Sequence, residues 1–311
     1  MTSLGSYIGG TMQGIYNIVP TPFDESGAID EPSLRRLIDF IIDTDVDGLT
    51  ILGFLGEAAK LSEAERAQVI EVTLEVADGR VPVVVGATAQ ALDPCIRHAR
   101  DAFDRGAAGL LVAPPRTARP NEAGVRTHYE ALAEQVGIPI VVQDFPTSSG
   151  VFMTPAFIGA LASDVPSCRY LKLEDDPTAQ KVTAILKANP DVSIFGGLGG
   201  NFMLEELQRG VVGMMTGFGF PEILVSIYRD FRAGREERAR ETFYRYLPLI
   251  RYENQPGLNL PLRKLIYTIR GAMDHPDPRR PFPPLDDVTL LELDALLAHL
   301  GLTTPGPVVI E

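Results

Sequence analysis

Eight short apolar runs recur along this chain, each followed by a loop and then by a stretch with helical spacing. No other feature narrows the fold as much. The runs are 14–20 (GIYNIVP), 48–52 (GLTIL), 81–86 (VPVVVG), 109–112 (GLLV), 138–143 (IPIVVQ), 169–172 (RYLK), 192–195 (VSIF) and 212–215 (VGMM), spaced at roughly 20 to 35 residues. Near-continuous Val, Ile and Leu suit parallel strands covered on both faces, and eight strand-helix units predict an α/β fold, the (β/α)8 TIM barrel, over an open sheet. A doubly wound sheet with a helical appendage is the competing architecture, but no GxGxxG opens a helix after the first strand. Local signals agree with the alternation. Leu34, Leu37, Ile38, Ile41 and Ile42 share one face of a helix over 31–43, and Ser62 with Glu65 three residues later predicts a capping box. After 233 the pattern turns all-helical, with helices expected over 236–251, 260–270 and 289–300. The expected organisation is a leader over 1–13, a barrel over 14–233 and a C-terminal helical extension over 234–311 packed on the barrel.

Composition excludes several roles. With 41 acidic against 28 basic residues the formal net charge is −13, so the surface repels nucleic acid and anionic membranes. No run of 18 apolar residues suggests a spanning helix, and the first residues lack the basic start and apolar stretch of a signal peptide. Two cysteines lie far apart, and four histidines form no ligand pattern. A cytoplasmic protein without metal, nucleic-acid or membrane partners is expected.

In a barrel of this kind reactive groups sit at the C-terminal ends of the strands. The sixth run reads RYLKLEDDP over 169–177. Strand alternation sends Lys172 and Glu174 to one face and Leu171 and Leu173 to the other. A buried cation is costly, so Lys172 is either paired with Glu174 as a structural ion pair or is a neutral amine able to attack a carbonyl and form an imine. Other candidates at strand ends are the loop GFLGE (Gly53, Phe54, Leu55, Gly56, Glu57), Gln143, Arg116, Gly197 within the run GGLGG, and Met215. Arg116 suits a substrate carboxylate. Thr147, Ser148 and Ser149 read as a turn, while Asp175 and Asp176 read as the start of a helix.

GFLGE after the second strand, YLKLED at the sixth and the barrel with its helical tail together resemble the dihydrodipicolinate synthase and N-acetylneuraminate lyase family of class I, Schiff-base-forming lyases, over residues 14–300. The resemblance implies that Lys172 forms the imine with a 2-oxo acid, that no cofactor is needed, and that the chain assembles as a homotetramer or homodimer. Where that family carries two hydroxylic residues this chain has Phe54 and Leu55, leaving backbone N–H groups of the loop for a carboxylate. Where it carries a proton-relaying tyrosine this chain has Gln143, and an amide is no general acid or base. The second relay tyrosine is replaced by the stretch APPRTARP. Q-D-x-P over 143–146, Lys172-Leu173-Glu174 and Tyr252-Glu253-Asn254-Gln255 look like the 2-keto-3-deoxy-L-arabonate dehydratases. The expected activity is therefore dehydration of a 2-keto-3-deoxy sugar acid with Lys172, Glu174 and Gln143 as catalytic residues. Pyruvate-dependent aldol cleavage or synthase-like condensation is the alternative, and an idle 2-oxo acid binding or regulatory protein is the alternative of another class.

Overall fold

The computed structural model describes residues 11–116 and 121–310. Eight parallel strands close into a barrel in chain order: β1 Gly14–Ile18, β2 Gly48–Ile51, β3 Val83–Gly86, β4 Gly109–Val112, β5 Ile140–Asp144, β6 Tyr170–Leu173, β7 Ser193–Gly196 and β8 Gly213–Thr216. Between them run α1 Glu31–Ile42, α2 Glu63–Ala77, α3 Leu92–Asp104, α4 Glu122–Ala133, α5 Pro146–Ser149, α6 Pro155–Asp164, α7 Thr178–Ala188 and α8 Met203–Gln208. The chain continues through α9 Pro221–Arg232, α10 Glu236–Glu253, α11 Asn259–Ile269 and α12 Asp287–Leu300.

The apolar runs form strands because both faces find cover. Inward-pointing Tyr16, Val84, Leu111, Val141, Tyr170, Phe195 and Met215 fill the barrel, and outward-pointing neighbours such as Ile15, Leu49, Val85 and Leu171 join the larger core under the helices. The barrel closes where β1 meets β8. A Cβ on Gly213 would stand 1.9 Å from the Gly14 carbonyl oxygen, so this approach requires glycine.

Several boundaries differ from the sequence expectation for a physical reason. β3 and β5 begin after Pro82 and Pro139, which have no N–H for the ladder. Their carbonyls still accept from Leu49 (3.0 Å) and Leu110 (2.9 Å). The stretch expected as a turn at 147–149 is the single helical turn α5, ended by Gly150 at φ 70°. Helix α2 starts as its cap predicts, Ser62 accepting from the Glu65 N–H while the Glu65 carboxylate accepts from the Ser62 N–H (2.8 Å).

Residues 1–10 of the expected leader lie outside the described residues, but Met12, which that boundary leaves in the leader, is buried and donates its N–H to the Tyr170 hydroxyl (3.2 Å). Beyond α9 the extension packs α10 against α9 and α12 against α10. Buried ion pairs tie it to the barrel mouth. Glu253 meets Arg263 at 2.7 Å and accepts the Gly219 N–H from the β8–α9 loop (2.8 Å). Lys264 meets Glu57 of the β2–α2 loop at 2.7 Å. No helix among the described residues is long and apolar enough to cross a membrane.

Candidate active site

β5 and β6 pair with Gln143 opposite Lys172. The ladder runs one residue past β6, the Glu174 N–H donating to the Asp144 carbonyl at 2.8 Å, so the strand alternation persists and Lys172 and Glu174 face the same interior space. Their side chains are 4% and 9% exposed, and the Lys172 Nζ stands 3.1 Å from the Glu174 Oε2. The Gln143 Nε2 donates to that same oxygen at 2.7 Å. Amine, carboxylate and amide thus form one hydrogen-bonded group at the C-terminal mouth of the barrel.

Gly197 makes room for this group. A Cβ there would stand 2.4 Å from the Glu174 Cγ, so the glycine after β7 is where the glutamate side chain lies, rather than a free backbone surface for a substrate. On the outer side of β5, Asp144 is fully buried and meets Lys181 of α7 at 2.6 Å, and the same amine meets Asp175 at 2.7 Å. Burial pushes the Asp144 carboxyl up to about 6 against the pull of Lys181. Lys181 therefore ties the end of β5 to the loop that carries Glu174. Asp175, expected only to start a helix, is part of this tie.

The loop after β2 folds as a 3-10 turn over Phe54–Gly56, closed by the Gly56 N–H on the Gly53 carbonyl (3.0 Å) and the Glu57 N–H on the Phe54 carbonyl (3.1 Å). That geometry leaves the Phe54 and Leu55 N–H groups outside the turn's own bonds. The Phe54 ring meets the Phe145 ring edge to face at 5.9 Å. Glu57, held at φ 56°, accepts from Lys264, from Lys60 (2.9 Å) and from the Arg279 N–H (3.0 Å), which pins the turn to the extension. Burial pulls the Lys264 ammonium down to about 8 against the attraction of Glu57.

One cleft brings together Lys172, Glu174, Gln143, Phe54 and Leu55. Gly53, Gly56, Glu57, Gly197, Met215 and Arg116, also expected at the site, do not line it. Met215 is wholly buried in the packed interior with Tyr16 and Phe195, and β8 gives Thr216 to the cleft instead. Arg116 is exposed and lies along Gly150, where a Cβ would stand 3.8 Å from its Nε. Sequence reasoning missed Asn254 and Asn259, which reach the cleft from the extension. Asn254 lies in the noted YENQ run, but strand-end reasoning assigns chemistry only to the barrel. Among the described residues no cluster of three or more His, Cys, Asp or Glu is arranged to hold a metal ion.

The chemical capacity of this cleft is specific. An amine lies beside a carboxylate that can take and return its proton, an amide fixes that carboxylate, and two backbone N–H groups of a tight turn take no part in its own bonds. The walls mix apolar Ile18, Phe145 and Leu198 with polar Thr216 and the two asparagines.

Residues 11–300 match the model of the dihydrodipicolinate synthetase family. An L-2-keto-3-deoxyarabonate dehydratase from Azospirillum brasilense is 33% identical over 93% of this chain and 94% of its own. A 4-hydroxy-tetrahydrodipicolinate synthase from Persephonella marina is 32% identical over 91% and 96%. Among solved structures, dihydrodipicolinate synthase from Rhodopseudomonas palustris superposes with a TM-score of 0.87 at 37% identity, covering 92% of this chain and 97% of that one.

Proposed function

The chain belongs to the dihydrodipicolinate synthetase family and is a class I lyase, and from that premise we propose that it dehydrates a 2-keto-3-deoxy sugar acid such as 2-keto-3-deoxy-L-arabonate through an imine on Lys172. The observation that carries this reading is the carboxylate of Glu174, 3.1 Å from the lysine amine and held by Gln143. The Lys172 amine attacks the C2 carbonyl and water leaves, giving the imine. The imine draws electrons from C3, and the Glu174 carboxylate takes a C3 proton to give the enamine. The enamine electrons expel the C4 hydroxyl, to which Glu174 returns the proton, so one carboxylate serves as base and then as acid and a molecule of water departs. Hydrolysis of the conjugated imine frees Lys172. Gln143 holds the carboxylate in place, and the Phe54 and Leu55 N–H groups receive the substrate carboxylate. The lysine supplies the electron sink, so the reading requires no cofactor or metal.

Synthase-like condensation has support from relatives of nearly the same identity. The hydrogen bond from the Gln143 amide to Glu174 favours dehydration, because it occupies the position from which the family resemblance expects a tyrosine to relay protons. The proposed protein acts in the cytoplasm as a homotetramer or homodimer, which sedimentation of the purified chain measures; one solved relative at 26% identity is described as a monomeric variant. The deciding experiment incubates the enzyme with 2-keto-3-deoxy-L-arabonate and follows products by mass. A product lighter by one water supports dehydration. Release of pyruvate assigns aldol cleavage instead, and an unchanged substrate refutes both.

A further inference from the structure

The extension supplies the cleft with two amides whose orientations the backbone fixes. Asn254 caps the end of α10, and its Nδ2 donates to the Leu198 carbonyl at 2.7 Å. It is wedged in place, since a Cβ on Gly199 would stand 2.6 Å from its Cγ. Asn259 opens α11, and its Oδ1 accepts the Leu260 N–H at 2.9 Å. Because a carbonyl only accepts and an N–H only donates, neither amide can be turned over without losing its backbone bond.

What remains follows directly. Oδ1 of Asn254, an acceptor, and Nδ2 of Asn259, a donor, have no hydrogen-bond partner among the described residues, and both residues line the cleft. An acceptor and a donor on the walls of one cleft match a hydroxyl, which both donates and accepts. A carboxylate would meet the Asn254 oxygen with lone pairs facing lone pairs, and an ammonium would find no use for the Asn259 N–H.

We propose that Asn254 and Asn259 form a hydroxyl-reading subsite for the part of the substrate beyond the reacting carbons, so that the C-terminal extension sets chain-end specificity while the barrel performs the chemistry. This rests on the imine at Lys172, which fixes C2 of the substrate. Ordinary backbone capping would account for one bond of each asparagine. It does not account for both asparagines lining the cleft that holds Lys172 with a polar atom left unpartnered.

The test compares the full-length protein with N259D and N254A on two substrates, 2-keto-3-deoxy-L-arabonate and 4-hydroxy-2-oxopentanoate, which lacks the terminal hydroxyl. N259D keeps the acceptor for Leu260 and replaces only the donor. The readout is the half-saturating concentration for borohydride trapping on Lys172, which requires no dehydration, together with product mass. The expected result is a half-saturation raised about 10-fold to 100-fold for the hydroxylated substrate in both variants, with less than a twofold change for the deoxy analogue. Equal trapping by wild type and N259D on the hydroxylated substrate overturns the subsite, as does an equal loss on both substrates. The two readings fail separately. Variant-sensitive trapping with pyruvate as product keeps the subsite and removes the dehydratase, whereas dehydration with variant-insensitive trapping does the reverse.

Discussion

Glu206 on α8 is 1% exposed, and replacing it with glutamine is expected to stabilise the protein in a strongly pH-dependent way. Its Oε2 has no hydrogen-bond partner among the described residues, and it lies behind β7 where a Cβ on Gly196 would stand 1.9 Å away. Burial pushes its carboxyl from 4.5 up to about 8, the nearby Thr178 hydroxyl opposing and the negative charges of Glu205, Asp176 and Glu174 adding to the rise. The folded state therefore holds a proton that the unfolded chain has released. The favourable contribution is fully present below pH 4.5 and is lost as pH rises toward 8, at about 1.4 kcal/mol per pH unit. The accumulated cost is about 3 kcal/mol at pH 7 and about 5 kcal/mol above pH 8, an upper bound because water and relaxation soften burial. E206Q keeps the shape and does not titrate. Urea or thermal unfolding of both proteins at pH 5, 6.5, 8 and 9 then gives nearly equal stability at pH 5 and a variant stronger by about 2 to 3 kcal/mol at pH 8, or roughly 5 °C or more in Tm. Other titrating groups are shared by both chains and cancel in the difference. A difference that stays constant from pH 5 to pH 9 would refute a buried, protonated Glu206.

Three further substitutions probe the support of the site. G197A drives a methyl group into Glu174 at 2.4 Å, so kcat should fall about 100-fold as the carboxylate leaves its place; steady-state kinetics within twofold of wild type contradict that. K181M removes the partner of buried Asp144 and should cost about 3 kcal/mol at pH 8, but less at pH 5. The sign follows from the Asp144 carboxyl, raised from 3.8 to about 6, whose protonation below pH 6 relieves an unpaired charge. Equal losses at both pH values in urea unfolding count against this. K264M unpins Glu57 and the turn at Phe54–Leu55. A KM for the 2-oxo acid raised about 10-fold with kcat nearly constant is expected, as for a group that binds substrate and transition state alike; a fall in kcat with constant KM assigns Lys264 elsewhere.

The barrel was legible because parallel strands are buried on both faces and leave unbroken apolar runs, while Ser62 and Glu65 announced the start of α2 in their own spacing. Strand starts were misjudged where proline is apolar in composition but lacks the donor a ladder needs, as at Pro82 and Pro139. Within the site, the alternation of Lys172 and Glu174 is a local property of β6 and could be read from residue types alone. The bond from Gln143 to Glu174 depends on the register of β5 against β6, and the place of Gly197 depends on β7 beside it, so neither follows from spacing. Met215 points inward as alternation requires, but inward is not the same as upward, and its layer is filled with packing. Asn254 and Asn259 escaped because they come from helices outside the strand-end pattern. Glu206 escaped for a different reason, since a glutamate on a short helix reads as solvated until its helix is seen against β7.

Trapping with borohydride tests the central claim most directly. The protein is incubated with pyruvate and, separately, with 2-keto-3-deoxy-L-arabonate, reduced, and mapped by peptide mass, with K172A as control. Imine chemistry at this cleft predicts one stable adduct, carried by the peptide containing Lys172, with both compounds and absent from K172A. An adduct on another lysine, or none with either compound, contradicts it and leaves Lys172 and Glu174 as an ion pair at the mouth of the barrel.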